Sequence, residues 1–183
     1  MSDLSNFSQI DGSGAVLVAA EGRAEMVTVK ADLSNKTTLA TLKNTLGTPV
    51  PTQRKIANGV AWMAPDELFV MVPEGQTADE LVARLNDGIK APLLALNVSD
   101  ARAVFTLKGN GAREVLAKGA PVDLSPAAFG MGDFRRTRLG QVAVAFWMEA
   151  DDEFRLVCFT SMRGFMFDWL TNAAQKNSLP EYF

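Results

Sequence analysis

The chain has 183 residues, 48% apolar and 21% charged, with a formal net charge of −3. That length favours one domain, or two small halves packed as one, with enough apolar surface for a real core. The mild acidity leaves no broad basic field and argues against sequence-independent nucleic-acid binding. There is no histidine, and the single cysteine is Cys158. The usual general base, the commonest metal ligand and the Ser-His and Cys-His pairs are therefore missing. One thiol cannot form an internal disulfide or a thiolate metal site. Carboxylates and lysines remain for acid–base work.

In chain order, Met1-Ser2-Asp3 lacks the basic start and long apolar core of a secretory signal. Residues 1–24 are small and polar, with only the apolar patch Ala15–Ala20. They are expected to be an arm, poorly ordered alone and ordered against a partner. A domain is expected over 25–183. Met26–Val29 reads as a strand. Leu39, Leu42 and Leu46 predict a helix over 37–46, capped by Thr37 or Thr38 and stopped by Gly47. Gly59–Met63 and Leu68–Val72, around Ala64-Pro65-Asp66-Glu67, predict a hairpin. Thr77-Ala78-Asp79-Glu80 is a capping box opening a helix that turns Leu81 and Leu85 inward.

Pro92–Val98 and Arg102–Leu107 read as strands joined near Ser99-Asp100. Residues 111–117 predict a short helix burying Val115 and Leu116, followed by a compact loop from Lys118 to Leu124 and a single turn at Ser125-Pro126. Phe134–Leu139 alternates weakly. Gln141–Trp147 and Phe154–Phe159 are strong strands around Ala150-Asp151-Asp152. A last helix runs from about Ser161 to Asn177, with Phe165, Trp169 and Ala173 at i, i+4 and i+8. The fold class is α+β: two similar halves with mainly antiparallel sheets, too irregular for a doubly wound parallel sheet. The longest apolar run, Val142 to Met148, falls far short of the roughly 20 residues that span a bilayer. A reduced, cytoplasmic protein is expected.

Several signatures follow one another in a set order. They are Leu46-Gly47-Thr48-Pro49, Trp62-Met63-Ala64-Pro65-Asp66-Glu67, Asn97-Val98-Ser99-Asp100-Ala101-Arg102, the run Gly111–Leu124, Ser161, and Asp168-Trp169-Leu170. Together they resemble the gamma-subunit family of heterotetrameric sarcosine oxidase, from about residue 25 to residue 176. The 111–124 run is the most specific part.

The resemblance implies a fold similar to the folate-binding aminomethyltransferases. It also implies a place in an alpha-beta-gamma-delta complex that oxidatively demethylates sarcosine to glycine, passing the one-carbon unit to tetrahydrofolate. FAD, FMN, NAD, zinc and tetrahydrofolate would belong to the partner subunits, with none in this chain, and the alpha subunit would be the direct contact. Aminomethyltransferases keep a carboxylate just after a Gly in a strand of the second half. The matching stretch here is Leu139-Gly140-Gln141-Val142, and no Asp or Glu occurs from Phe134 to Met148. A non-catalytic structural subunit is the leading expectation. The alternative is a stand-alone folate-binding or aminomethyltransferase-like one-carbon protein, or a small-acid binding module.

Few residues compete for a site. Arg135, Arg136 and Arg138 would grip a polyglutamate tail or an acidic partner face through guanidinium–carboxylate forks, or else simply decorate a solvated strand edge. Phe165 and Trp169 read as core. Phe167 and Met166 lie on other faces, so the last helix faces a partner or is sandwiched between the two halves. Cys158, among Leu156, Val157 and Phe159, reads as buried and inert. Glu114 and Lys118 read as an i,i+4 surface pair. Residues 179–183 are a second exposed apolar candidate.

Overall fold

A computed structural model describes residues 16–89 and 91–183. Among them lie ten strands and four α-helices. The chain divides into two compact units, a central one at Ala24–Asp100 and a flanking one formed by Ala101–Phe183 with the residues before 24. No Gly/Pro-rich linker marks either junction, which is why the sequence reads as continuous from 25 onward.

The central unit holds β2 (Met26–Ala31), α1 (Lys36–Leu46), β3 (Ile56–Ala57), β4 (Val60–Ala64), β5 (Glu67–Met71), α2 (Ala78–Gly88) and β6 (Leu93–Asn97).

 Labels run in chain order along the whole chain, so β1 belongs to the flanking unit. The five central strands pair antiparallel throughout, in the order β3-β4-β5-β2-β6. Alternation sorts their side chains: Val27, Val29, Val60, Leu68, Val70 and Ala95 face one way and meet Leu42, Leu81 and Leu85 from the helices. The caps follow local chemistry. Asn35 Oδ1 accepts from the Thr37 and Thr38 N–H groups, so the cap lies two or three residues before the expected threonines. Asn exposes a carbonyl at the reach that N2 and N3 require. Gly47, at φ 72°, ends α1 in the left-handed conformation. The capping box at Thr77 and Glu80 is reciprocal, as its sequence predicts.

The expected hairpin is present as β4 and β5. A further strand, β3, precedes it, joined to β4 by Asn58-Gly59 with φ 48° and 76°. Two left-handed residues in a two-residue loop suit the twist of a hairpin.

The flanking unit carries β1 (Leu17–Ala20), β7 (Arg102–Lys108), α3 (Ala112–Ala117), β8 (Phe134–Leu139), β9 (Val142–Ala150), β10 (Glu153–Phe159) and α4 (Arg163–Ala173). Its sheet is antiparallel too, in the order β1-β7-β10-β9-β8. Phe105, Phe129, Phe146 and Phe154 pack in one core with Val115, Leu116, Met166 and Leu170. The α+β class with two antiparallel sheets agrees with the sequence reading.

Three expectations change at this level. Residues 1–15 of the expected arm lie outside the described residues, whereas Leu17–Ala20 form a strand on β7 with Val18 facing the core. The partner strand lies far along the chain, Leu17 against Lys108 and Ala20 against Phe105, so nothing local announces it. The strands on either side of Ser99-Asp100 exist but do not pair with each other: β6 joins β2, and β7 joins β1 and β10. The turn is the junction between units. On α4, Phe165 is 54% exposed while Met166, Phe167, Leu170 and Ala174 are buried. The core stripe is therefore rotated from the expected one. Two stripes with i, i+4, i+8 spacing run along this helix, and periodicity alone does not rank them.

Gly59 tests the hairpin. A Cβ there would sit 2.7 Å from the Met71 carbonyl oxygen, and its φ is +76°. Gly59→Ala should lower stability by roughly 1–3 kcal/mol. The check is urea unfolding of the full chain, and an unchanged midpoint would contradict the assignment.

Candidate functional site

The specific run 111–124 folds around α3, a helix too short to persist without tertiary contacts. Its two charged neighbours point to different tasks. Arg113 Nη1 donates to the carbonyls of Leu124 at 2.6 Å and Phe129 at 2.7 Å. Its guanidinium lies 5.4 Å from the Phe154 ring centre. Burial lowers the Arg113 pKa from its ordinary value, and the two carbonyls give the retained charge its hydrogen bonds. This one side chain fixes the loop between α3 and β8.

Glu114 is only 5% exposed. Its carboxylate accepts from the N–H groups of Glu181 at 2.9 Å, Tyr182, and Phe183 at 3.2 Å. The expected surface pair with Lys118 is thus replaced. Lys118 Nζ instead donates to the Ala173 carbonyl at 2.6 Å and to Ser178 Oγ at 2.9 Å. A buried carboxylate needs donors that stay in place, and consecutive backbone amides supply them better than a flexible lysine. Leu179 packs on the same core. It lies so close to Gly111 that a Cβ there would approach its Cδ1 to 2.1 Å. Gly119 is close-packed as well, with Trp169 beside it and its carbonyl accepting from the Gly140 N–H at 3.0 Å. Of the 179–183 segment, Tyr182 and Phe183 stay exposed.

Residues beyond the run are fastened in the same manner. Glu21 accepts from Arg155 Nε at 3.0 Å and Nη2 at 2.7 Å, and from Thr106 Oγ1 at 2.7 Å. Ser99 Oγ accepts from the Met26 N–H at 3.0 Å and donates to Asn97 Oδ1 at 2.7 Å. The Asn97–Arg102 signature is thereby a strand-end clamp.

The arginines singled out from the sequence all lie on β8, but they do not converge. Arg135 Nη1 donates to the Phe134 carbonyl at 2.9 Å, and its guanidinium stands 5.3 Å from the Phe129 ring centre. Arg136 and Arg138 are exposed and, by strand alternation, share the opposite face. β8 is an edge strand, so the row also discourages another chain from pairing there. Phe167, expected on a face open to a partner, is buried in the flanking unit's core. Cys158 is fully buried, and desolvation raises its pKa from 9.0 to about 11. A depression of about 230 Å³ in the central unit is lined by residues including Asn44, Asn58, Gln76 and Arg84. Its one arginine already donates to Gln76 Oε1 at 3.0 Å.

Comparison with known proteins agrees with the ordered motifs. Residues 30–176 match the model of the sarcosine oxidase, gamma subunit family. The chain belongs to this family. Two relatives are named sarcosine oxidase subunit gamma. The one from Corynebacterium sp. (strain P-1) is 34% identical over 73% of this chain and 68% of its own length. The one from Arthrobacter sp. is 31% identical over 92% and 84%. Among solved structures, a chain of the heterotetrameric sarcosine oxidase from Corynebacterium sp. U-96, in complex with pyrrole 2-carboxylate, superposes with a TM-score of 0.80. It shares 25% identity, covering 91% of this chain and 87% of that one. The glycine cleavage system aminomethyltransferase T from Bartonella henselae superposes with a TM-score of 0.64 at 11% identity, over 90% of this chain and 47% of its own. That likeness concerns the fold.

The stretch Leu139-Gly140-Gln141-Val142, singled out from the sequence, is the β8–β9 turn. Gly140 occupies it at φ 58°, and Gln141 follows, exposed. Val142, Val144, Phe146 and Met148 then enter the core. The nearest carboxylates on either side are engaged: Asp133 Oδ2 accepts from the Gly130 N–H at 2.8 Å, and Glu149 Oε2 accepts from Trp147 Nε1 at 2.6 Å. These residues do not fit a folate amine, and no step through folate follows from them.

Two measurements probe this arrangement. Glu114→Ala should cost roughly 2 kcal/mol, because three backbone amides lose a charged acceptor. It should also open residues 178–183 to proteolysis, and unchanged cleavage would refute the clasp. Cys158, with its thiol pushed up to about 11, should resist alkylation at pH 8 in the folded chain and react on unfolding. Its raised value favours the folded state below the unfolded thiol's pKa. That contribution is lost as pH rises through the folded value. Rapid labelling of folded protein would contradict the burial.

Proposed function

We propose that this chain is the gamma subunit of a heterotetrameric sarcosine oxidase and serves there as a structural, non-catalytic component. The observation that carries this reading is the likeness along nearly the whole chain to a subunit of that assembly. The site chemistry supports it. Arg113, Glu114, Lys118, Glu21 and Arg155 are engaged with backbone groups or one another, and the β8 arginines do not form a convergent pocket.

On this reading the oxidative demethylation of sarcosine, with transfer of its one-carbon unit to tetrahydrofolate, takes place on other subunits. FAD, FMN, NAD, zinc and tetrahydrofolate belong to those subunits, and the alpha subunit is the direct neighbour. Among the described residues no helix is long and apolar enough to cross a membrane. A cytoplasmic assembly is in keeping with that and with the free thiol of Cys158.

The test is expression of the chain alone and together with the other subunits. The expected outcome is stable incorporation into the oxidase and no sarcosine oxidation by the isolated chain. A chain that stays apart from the alpha subunit, or that oxidises sarcosine alone, would defeat the reading.

A further inference from the structure

The depression in the central unit is used by none of the roles above. Its volume is about 230 Å³, and all its lining residues lie between Asn44 and Arg84, within that one unit. Val60 of β4, Val70 of β5 and Leu81 of α2 are buried and make an aliphatic floor. The end of α1, the β3–β4 turn and the start of α2 raise a rim of hydrogen-bonding side chains, Asn44, Asn58, Gln76 and Arg84. Leu81 and Arg84 are three residues apart, so one face of α2 supplies both floor and rim.

The rim is held in place by the chain itself. Asn58 Nδ2 donates to Thr48 Oγ1 at 2.9 Å, which ties the β3–β4 turn to the segment after α1. The Gln76 N–H donates to the Pro73 carbonyl at 3.2 Å, and Gln76 Oε1 accepts from Arg84 Nη2 at 3.0 Å. Gln76 thus orients the guanidinium and leaves most of its N–H donors for another acceptor. Glu80, the acid one turn earlier on α2, does not line the depression; its Oε2 accepts from the Thr77 N–H at 3.0 Å. Among the described residues, Arg84 is the one ionisable side chain of the lining. An aliphatic floor beneath one oriented guanidinium and neutral amides selects an anion with an apolar body.

We infer that this depression is a binding site for a short-chain aliphatic carboxylate. The carboxylate meets the remaining N–H groups of Arg84, and the hydrocarbon chain lies on Val60, Val70 and Leu81. A cavity of about 150 Å³ admits benzene, so this one accommodates an acid of about four to six carbons. No acidic side chain lines it to receive an ammonium group, which disfavours the amino acid of the same skeleton. The site is independent of the subunit reading, because this chain supplies every residue of it.

Nuclear magnetic resonance of the isotope-labelled full chain, titrated with isovalerate, isovaleramide and leucine, reads the side-chain amides of Asn44, Asn58 and Gln76 directly. Isovalerate should shift them saturably with a Kd of about 1 mM or tighter, within the efficiency that small ligands reach. Isovaleramide has the same shape without the charge, and leucine adds an ammonium group; each should bind about tenfold more weakly. Arg84→Gln, at an exposed position, should leave the unfolding midpoint unchanged and weaken isovalerate binding about tenfold, and Arg84→Lys should restore part of the loss. Isovaleramide or leucine binding as tightly as isovalerate would overturn the inference. So would shifts that do not saturate or that fall away from the depression, and so would unaltered affinity in Arg84→Gln. The three-ligand comparison uses the unaltered chain and decides the matter even where a variant fails to fold.

Discussion

Two adjacent charges on a six-residue helix hold together the parts of the flanking unit that have no periodic structure of their own. Arg113 and Glu114 are neighbours in sequence, yet each takes backbone partners from a different segment. The physics is that of a charge removed from water. Such a group must find several well-directed hydrogen bonds, and a charge-assisted bond contributes roughly 1.5–3 kcal/mol where a neutral one contributes about 1. Main-chain carbonyls and amides can be supplied in consecutive sets at a fixed spacing. An arginine between two carbonyls and a carboxylate before three amides are therefore stable solutions, and they impose a route on the loop and on residues 178–183.

This accounts for the clustering of sequence signal at 111–124. The run combines a short helix, a buried and a half-buried charge, and two glycines, Gly111 and Gly119, each so close to a neighbouring side chain that a Cβ would intrude. A surface helix would leave its charges in solvent and would not demand glycine at such contacts. The same principle recurs at Glu21, whose fork with Arg155 ties β1 to the sheet, and at Ser99, which closes the end of β2. The exposed parts of the Glu21–Arg155 pair limit its worth to the range of a partly solvated ion pair. Its role is to fix position.

The sequence was most legible where structure is determined within a few residues. Thr77 with Glu80, Gly47 after α1, and the alternation in β9 and β10 each state their conformation locally. Legibility ended where a partner is distant. Leu17–Ala20 has a strand partner beyond residue 100. Glu114 finds its donors 67 to 69 positions onward, so spacing on its own helix pointed to Lys118 instead. β3 was missed although Asn58-Gly59 is a strong hairpin signal, because Ile56–Ala57 is too short to alternate. On α4 the largest aromatics suggested a stripe through Phe165, whereas the buried stripe uses Met166, Leu170 and Ala174, with Phe167 beside it. Size ranked the stripes wrongly, because a flat sheet beneath a helix accepts whichever side chains its own residues leave room for. Of the candidate site residues, the three arginines could be placed on one strand from the sequence, but their division between its two faces needed the register.

A turn can vary at little cost when the architecture does not depend on the side chain it carries. Here the β8–β9 turn keeps its glycine at positive φ, and the strand that follows keeps its alternation, while the position after the glycine carries Gln141. The core side of β9 needs only Val142, Val144, Phe146 and Met148 to hold the sheet. A carboxylate at this turn would be peripheral to that packing, so its absence costs the fold nothing. The groups that matter to the packing are Arg113 and Glu114, since each leaves two or three backbone groups without their charged partner when removed. Charge is thus kept where the packing of the flanking unit needs it, at the joints that Arg113 and Glu114 hold.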